Sequence, residues 1–215
     1  GRLMSRPRTL VLFDVDGTLI DSQSHILGAM EFAFKTRGLV LPPASEILAI
    51  VGLSLPEAFA QLCPETDAKE RLLLVEAYKD SFASLRDSAS ASALYPGALA
   101  CLDRLKNMED IVLGIATGKS RRGLRHVLSN PDLAGRFATT QVADDHPSKP
   151  HPSMALQAMT ESGAVRGVMI GDTTFDMQMG RAAGLKTIGV SWGYHAQQAL
   201  RAQADRMIAD YAQLV

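Results

Sequence analysis

Apolar residues along the chain fall into two kinds of pattern. Short continuous runs occupy residues 9–13 (TLVLF), 111–116 (IVLGIA), 167–170 (GVMI) and 187–190 (TIGV), with a weaker one at 139–143. Runs of this length without polar alternation predict strands buried on both faces of a parallel sheet. Helical patterns lie between them, and that alternation predicts a three-layer α/β domain. Residues 22–92 read differently, because nothing there alternates with strand character. Ile26, Met30, Ala33 and Phe34 mark one helical stripe, and Leu74, Tyr78, Ser81, Phe82 and Leu85 mark another. Pro42, Pro43 and Pro64 punctuate the helices. A helical insertion directly after the first strand hangs over the carboxyl edge of the sheet, where ligands collect in such folds. Residues 22–92 therefore read as a cap, residues 1–21 and 93–215 as the core, and the Ser/Ala run at 88–93 as the return hinge.

Composition narrows the class. The chain has 215 residues, 47% hydrophobic and 21% charged, which fits a packed globular protein and not a disordered one. Lys plus Arg number 22 against 23 for Asp plus Glu, so no basic excess exists to hold nucleic acid. No apolar run approaches the length of a membrane span, and the N-terminal segment lacks a secretory apolar core, so the expected location is the cytoplasm, with no membrane partner. Two cysteines, Cys63 and Cys101, suit a reducing compartment and read as buried thiols. Gly1, Arg2 and Leu3 ahead of Met4 read as a cloning remnant.

The polar residues that end the apolar runs carry the candidate chemistry. Asp14-Val15-Asp16-Gly17-Thr18 puts two carboxylates at a strand end with a glycine to turn the chain, a pair that is costly unless a cation binds or one acid keeps its proton. The plainer alternative is an Asp/Gly turn. Gly171-Asp172-Thr173-Thr174-Phe175-Asp176 ends another run, with Asp172 readable as a helix N-cap or as a metal ligand. Taken together, Asp14, Asp16, Asp172 and Asp176 form an oxygen-rich set suited to a hard divalent cation, Mg²⁺ in the first place, whereas cysteine and histidine ligands for zinc are missing. Thr117-Gly118-Lys119 opens a helix and offers either an anion cradle or a simple cap. The arginines behind it, Arg121, Arg122 and Arg125, read as a solvated face. Lys149 sits among Pro147, Pro150 and Pro152, on a loop stiff enough to fix an ammonium.

In their order along the chain, DVDGT, Thr117, Lys149 and GDTTFD resemble the four motifs of the haloacid dehalogenase-like superfamily. The flanking segments VGLSLPEAF, LYPGALACLDRL, IATGKSRRGL, DDHPSKPHPSM and GVSWGYH are most similar to its phosphoglycolate phosphatase-type branch. The resemblance runs over nearly the whole chain. It implies a Rossmann-like core with an inserted all-helical cap, and hydrolysis of a small-molecule phosphate ester. Asp14 would be the nucleophile, forming an aspartyl-phosphate, and Asp16 the general acid and base. Mg²⁺ would be held by Asp14, the Asp16 carbonyl and Asp172, with support from Asp176. Thr117 and Lys149 would stabilise phosphoryl charge. Gly17, Thr18, Gly118 and Lys119 would lie at the substrate, and Gly52 and Ser54 would offer N–H groups and a hydroxyl to a glycolate carboxylate.

Asp16 favours esters over the halide and phosphonate chemistry of other members. A sugar phosphomutase of the β-phosphoglucomutase type is the alternative inside the fold, and a noncatalytic binding protein the alternative outside it. A mutase needs a grip on a second phosphate, and residues 51–56 contain no cation for one. Phosphoglycolate leads the substrate candidates, with sugar phosphates, nucleotides and pyrophosphate open. His25, near the mouth of the site, reads as a substrate contact or as a surface or structural residue, and Trp192, Tyr194 and His195, which follow the last strand, read as a pocket rim or as structural residues. The methionines at 154, 159, 169, 177 and 179 read as core filler. A monomer or a homodimer is expected.

Overall fold

The computed structural model describes the backbone of residues 6–88 and 93–214, and side chains throughout except those of residues 85–88. The side chain of Leu85, residues 89–92 of the hinge expected at 88–93, and residues 1–3 lie outside the described residues.

The core is a six-stranded sheet whose adjacent strands all run parallel. Strand β1 (Thr9–Phe13) is central, between β4 (Ile111–Ala116) and β6 (Arg166–Gly171). Beyond β4 lies β5 (Thr139–Gln141), and beyond β6 lie β7 (Lys186–Val190) and β8 (Arg206–Ile208). The side-chain alternation of β1 builds the three layers. Val11 and Phe13 pack on one face with Ala98, Cys101 and Leu102 of helix α5 (Ala98–Lys106) and Leu124 of α6 (Arg121–Leu128). Leu10 and Leu12 pack on the other with Met154 and Ala158 of α7 (Ser153–Ser162) and Met179 of α8 (Thr174–Ala182). Met154, Met169, Met177 and Met179 are fully buried, as core filler should be. One strand of this sheet was not foreseen: β8 carries only three residues and follows the short α9 (Gln197–Arg201), too little pattern to read.

Two short strands, β2 (Ile20–Asp21) and β3 (Ala93–Leu94), pair antiparallel where the chain leaves and re-enters the core. Between them are four helices: α1 (Gln23–Thr36), α2 (Ala44–Ala49), α3 (Leu55–Leu62) and α4 (Ala68–Ser88). They enclose a separate apolar centre in which Ile26, Met30, Ala33 and Phe34 of α1 meet Leu74 and Tyr78 of α4, the two stripes expected for the cap. Phe175 and Tyr194 of the core pack against this centre, so the cap is seated on the carboxyl edge of the sheet. No helix among the described residues is long and apolar enough to cross a membrane.

Candidate active site

Four side chains from two strand ends, one helix and one loop meet beneath the cap. Asp14 follows β1, Asp172 follows β6, and Asp176 lies on the first turn of α8; one carboxylate oxygen from each falls within 4.8 Å of the others. Lys149 enters from the loop before α7, its ammonium 2.7 Å from Asp176 Oδ1 and 3.1 Å from Asp14 Oδ1. All four are at most 1% exposed. Burial, then the nearby Asp176, push the Asp14 carboxyl well above the usual range, against the pull of Lys149. Burial and Asp176 raise Asp172 to about 7, opposed by the Tyr194 N–H and the Thr18 hydroxyl. Burial alone would lower the Lys149 ammonium, but Asp14 and Asp176 outweigh it and hold it above its ordinary value.

Three carboxylates against one ammonium leave excess negative charge in a dry site, and Asp14 Oδ2 is buried with no hydrogen-bond partner. An oxygen-only donor set with one orphaned acceptor fits a hard divalent cation. Asp176 is the most committed of the three: Oδ1 takes the Lys149 ammonium, and Oδ2 accepts from the Thr173 N–H (3.2 Å) and hydroxyl (2.9 Å). The Thr173 hydroxyl in turn accepts the Asp176 N–H, so the same carboxylate closes a capping box on α8. Thr173 is therefore the N-cap, which leaves Asp172 available as a ligand.

Glycines make the cluster this close. A Cβ on Gly17, whose φ is +82°, would fall inside the Asp172 carboxylate. The same holds at Gly193, and at Gly171 a Cβ would strike Asp176. Gly17 and Thr18, expected at the substrate, are buried behind the site instead, where the Thr18 hydroxyl donates to Asp172 Oδ1 at 3.0 Å. The Thr18 carbonyl accepts from Tyr211 Oη (2.6 Å) and Trp192 Nε1 (3.2 Å). Tyr194 donates its N–H to Asp172 Oδ2 at 2.9 Å. Trp192, Tyr194 and His195 thus pack behind the carboxylates and do not rim the pocket.

The Asp16 carboxylate stands apart from the three-acid cluster. It accepts a 2.6 Å hydrogen bond from the Ser22 hydroxyl, and both oxygens lie 3.1 Å from the Lys119 ammonium. Lys119 also lies 4.9 Å from the centroid of the Phe82 ring, which belongs to the cap. Thr117, 1% exposed, follows β4; its N–H donates to the Gln141 carbonyl and its hydroxyl accepts from the Lys119 N–H.

Asp14, Asp16, Thr117, Gly118 and Lys119 form the core wall of a cleft of about 320 Å³, and the cap supplies the opposite wall. Gly52 lines it but Ser54 does not. Two of the N–H groups expected there for a carboxylate are already engaged: that of Leu53 donates to the Ile50 carbonyl (3.3 Å) and that of Ser54 to the Ser148 hydroxyl (3.0 Å). Two cations that were not assigned to the site, Lys79 of α4 and Arg122 of α6, line the cleft from exposed positions. Arg121 is turned away, bonded to the Thr140 hydroxyl and carbonyl.

His195 links the two parts. Its Nδ1 accepts the Thr174 N–H at 3.1 Å, so Nε2 carries the proton and donates to the Ala49 carbonyl of the cap at 2.7 Å.

Comparison with known proteins agrees with this geometry. A family model described as haloacid dehalogenase-like hydrolase matches residues 11–190. A Dickeya dadantii protein named "Probable phosphatase IndB" is 34% identical over 208 residues, covering 94% of this chain and 90% of that one. A phosphoglycolate phosphatase of Xylella fastidiosa is 30% identical, covering 94% and 89%. A solved structure of a haloacid dehalogenase-like family hydrolase from Streptococcus pneumoniae superposes with a TM-score of 0.82 at 25% identity, covering 96% of each chain.

Proposed function

The chain belongs to the haloacid dehalogenase-like hydrolases, and on that premise we propose that it hydrolyses a small phosphate monoester through an aspartyl-phosphate on Asp14. The observation that carries this reading is the buried group of Asp14, Asp172, Asp176 and Lys149, from which Asp14 reaches the wall of a cleft that Asp16 and Thr117 also line. A carboxylate oxygen of Asp14 attacks phosphorus, the P–O bond to the leaving group breaks, and the leaving oxygen takes a proton from Asp16. Water then attacks the phosphorus of the acyl phosphate and returns a proton to Asp16, which releases inorganic phosphate and regenerates Asp14. Thr117 and Lys149 stabilise the charge on the phosphoryl oxygens. Asp14 and Asp172, with Asp176 behind them, would hold a divalent cation, Mg²⁺ by the oxygen-only donor set. Such an ion, when bound, supplies charge neutralisation between an anionic nucleophile and an anionic substrate.

Lys119 and Ser22 act as positioning residues, since together they fix the Asp16 carboxylate at the core wall. We assign residues 22–92 to the cap and the rest to the core, supported by their separate apolar centres. A cytoplasmic setting is supported by Cys63 and Cys101, both buried and unpaired.

The test is chemical. Purified protein with Mg²⁺ should release phosphate from p-nitrophenyl phosphate, and acid quench should trap phosphate on Asp14. Phosphate trapped on another residue, or turnover undiminished in Asp14→Asn, would refute the mechanism.

A further inference from the structure

The wall that faces the leaving group has a chemistry of its own. Besides Lys79 at its exposed position, the side chains that line the cleft from the cap include Ile26, Met30, Val51, Leu53, Tyr78 and Phe82. These six are apolar or aromatic, and all but Phe82 are at most 9% exposed. Tyr78 and Phe82 lie one turn apart on α4 with their rings stacked, 5.9 Å between centroids and 25° between planes. His25 braces Phe82 edge-on at 6.1 Å and Phe59 braces Tyr78 edge-on at 6.2 Å, so the pair is held in place before any ligand arrives.

This pair stands next to the acid that serves the leaving group. Lys119 touches both, its ammonium 3.1 Å from Asp16 and 4.9 Å from the Phe82 centroid. A group leaving beside Asp16 therefore extends along the Phe82 and Tyr78 rings. The Tyr78 hydroxyl has no hydrogen-bond partner among the described residues and offers one polar contact at that wall. A carboxylate or second phosphate placed there would give up its water to face hydrocarbon, a poor exchange. Lys119 is paired to Asp16, and Lys79 and Arg122 stand at exposed positions where water screens them.

Resting on the phosphatase reading above, we propose that the substrate is the phosphate monoester of an alcohol that carries a planar, unsaturated ring, with the ring held against Tyr78 and Phe82. Phe82 also sets how far the ring can reach. It forms, with Lys119 and Gly123, the partition between the cleft and a second cavity of about 380 Å³ that Ser22, His25 and Leu133 help to line.

Leaving groups of similar basicity isolate the wall from the chemistry. Steady-state kinetics with Mg²⁺ should give benzyl phosphate a kcat/KM at least tenfold above ethyl phosphate and above phosphoglycolate. Phe82→Leu keeps the wall apolar but removes the ring face, and should lower the benzyl-to-ethyl ratio about tenfold, mainly through the KM for benzyl phosphate. Phe82→Ala should raise kcat/KM for 2-naphthylmethyl phosphate relative to benzyl phosphate by opening the partition. Phosphoglycolate or ethyl phosphate matching benzyl phosphate would overturn the proposal and leave the phosphatase reading standing. If no ester turns over, the phosphatase reading falls, and calorimetric titration with benzylphosphonate against ethylphosphonate still decides the wall: tighter binding of the benzyl compound supports the ring site, and equal affinity refutes it.

Discussion

Replacing Lys149 by methionine removes the single ammonium buried among the acids while nearly preserving side-chain volume. In the intact protein that ammonium lies 2.7 Å from Asp176 and 3.1 Å from Asp14, with no exposed side-chain surface. Without it, at least one carboxylate must either stay charged and unpaired or take up a proton. Breaking a buried pair by removing one partner costs about 3–5 kcal/mol. At about 2–4 °C per kcal/mol for a chain of this size, the melting temperature should fall by about 6–20 °C. The assay is thermal unfolding by circular dichroism at pH 7 in excess chelator, so that no cation substitutes for the lysine. The double variant Lys149→Met/Asp176→Asn removes the stranded charge as well, and should melt higher than the sum of the two single losses requires. A single variant that melts within about 3 °C of the parent, or a double variant whose losses simply add, would refute the charge-balance argument.

Other outcomes follow from the same geometry. Chelation should abolish phosphate release and Mg²⁺ should restore it; full turnover in excess chelator would exclude the cation. Asp16→Asn should slow an alkyl phosphate at least tenfold more than p-nitrophenyl phosphate, whose leaving group needs no proton, and equal losses would count against Asp16 as the acid. Tyr211→Phe removes one of two donors to the Thr18 carbonyl and should lower stability by about 1 kcal/mol with turnover retained. The Thr139 hydroxyl holds Glu161 below the usual carboxylate range, as the Thr187 N–H does for Asp205. Both stabilise fully above that range and lose their effect as pH falls through the depressed values. The melting difference between the parent and Glu161→Gln/Asp205→Asn should therefore be present at about pH 6 and vanish by about pH 2.

The core was legible because its signals are local. Continuous apolar runs at residues 9–13 and 111–116 became strands with the same bounds, and the stripes of α1 and α4 became the centre of the cap. Asp14, Asp172 and Asp176 could be gathered because each ends a strand or opens the helix behind it, and parallel strands deliver those ends to one edge. What supports them is long-range and left no trace in spacing. The partner of Asp16 lies 103 residues away at Lys119, and Thr18 meets Asp172 across 154 residues. The Gly52 to Ser54 segment shows the opposite case: backbone donors are always present in sequence, and only the folded chain shows that those of Leu53 and Ser54 are already taken. Lys79 was not legible because it lies on a helix and not in the loop at 51–56, and only the folded cap brings it to the cleft.

Gly17, Gly171 and Gly193 stand against the two carboxylates so closely that a single methyl group would displace them. None of the three donates, accepts or titrates through a side chain, yet each excludes the other nineteen amino acids. In a saturation-mutagenesis library scored for activity, these silent positions would be as intolerant as the acids they flank, whereas Thr18 and Tyr211, which make visible hydrogen bonds, would accept partial substitutes. The site is thus recorded in the chain twice, once by the atoms that react and once by places where matter is forbidden. A search for active-site residues that scores chemistry alone reads only the first record.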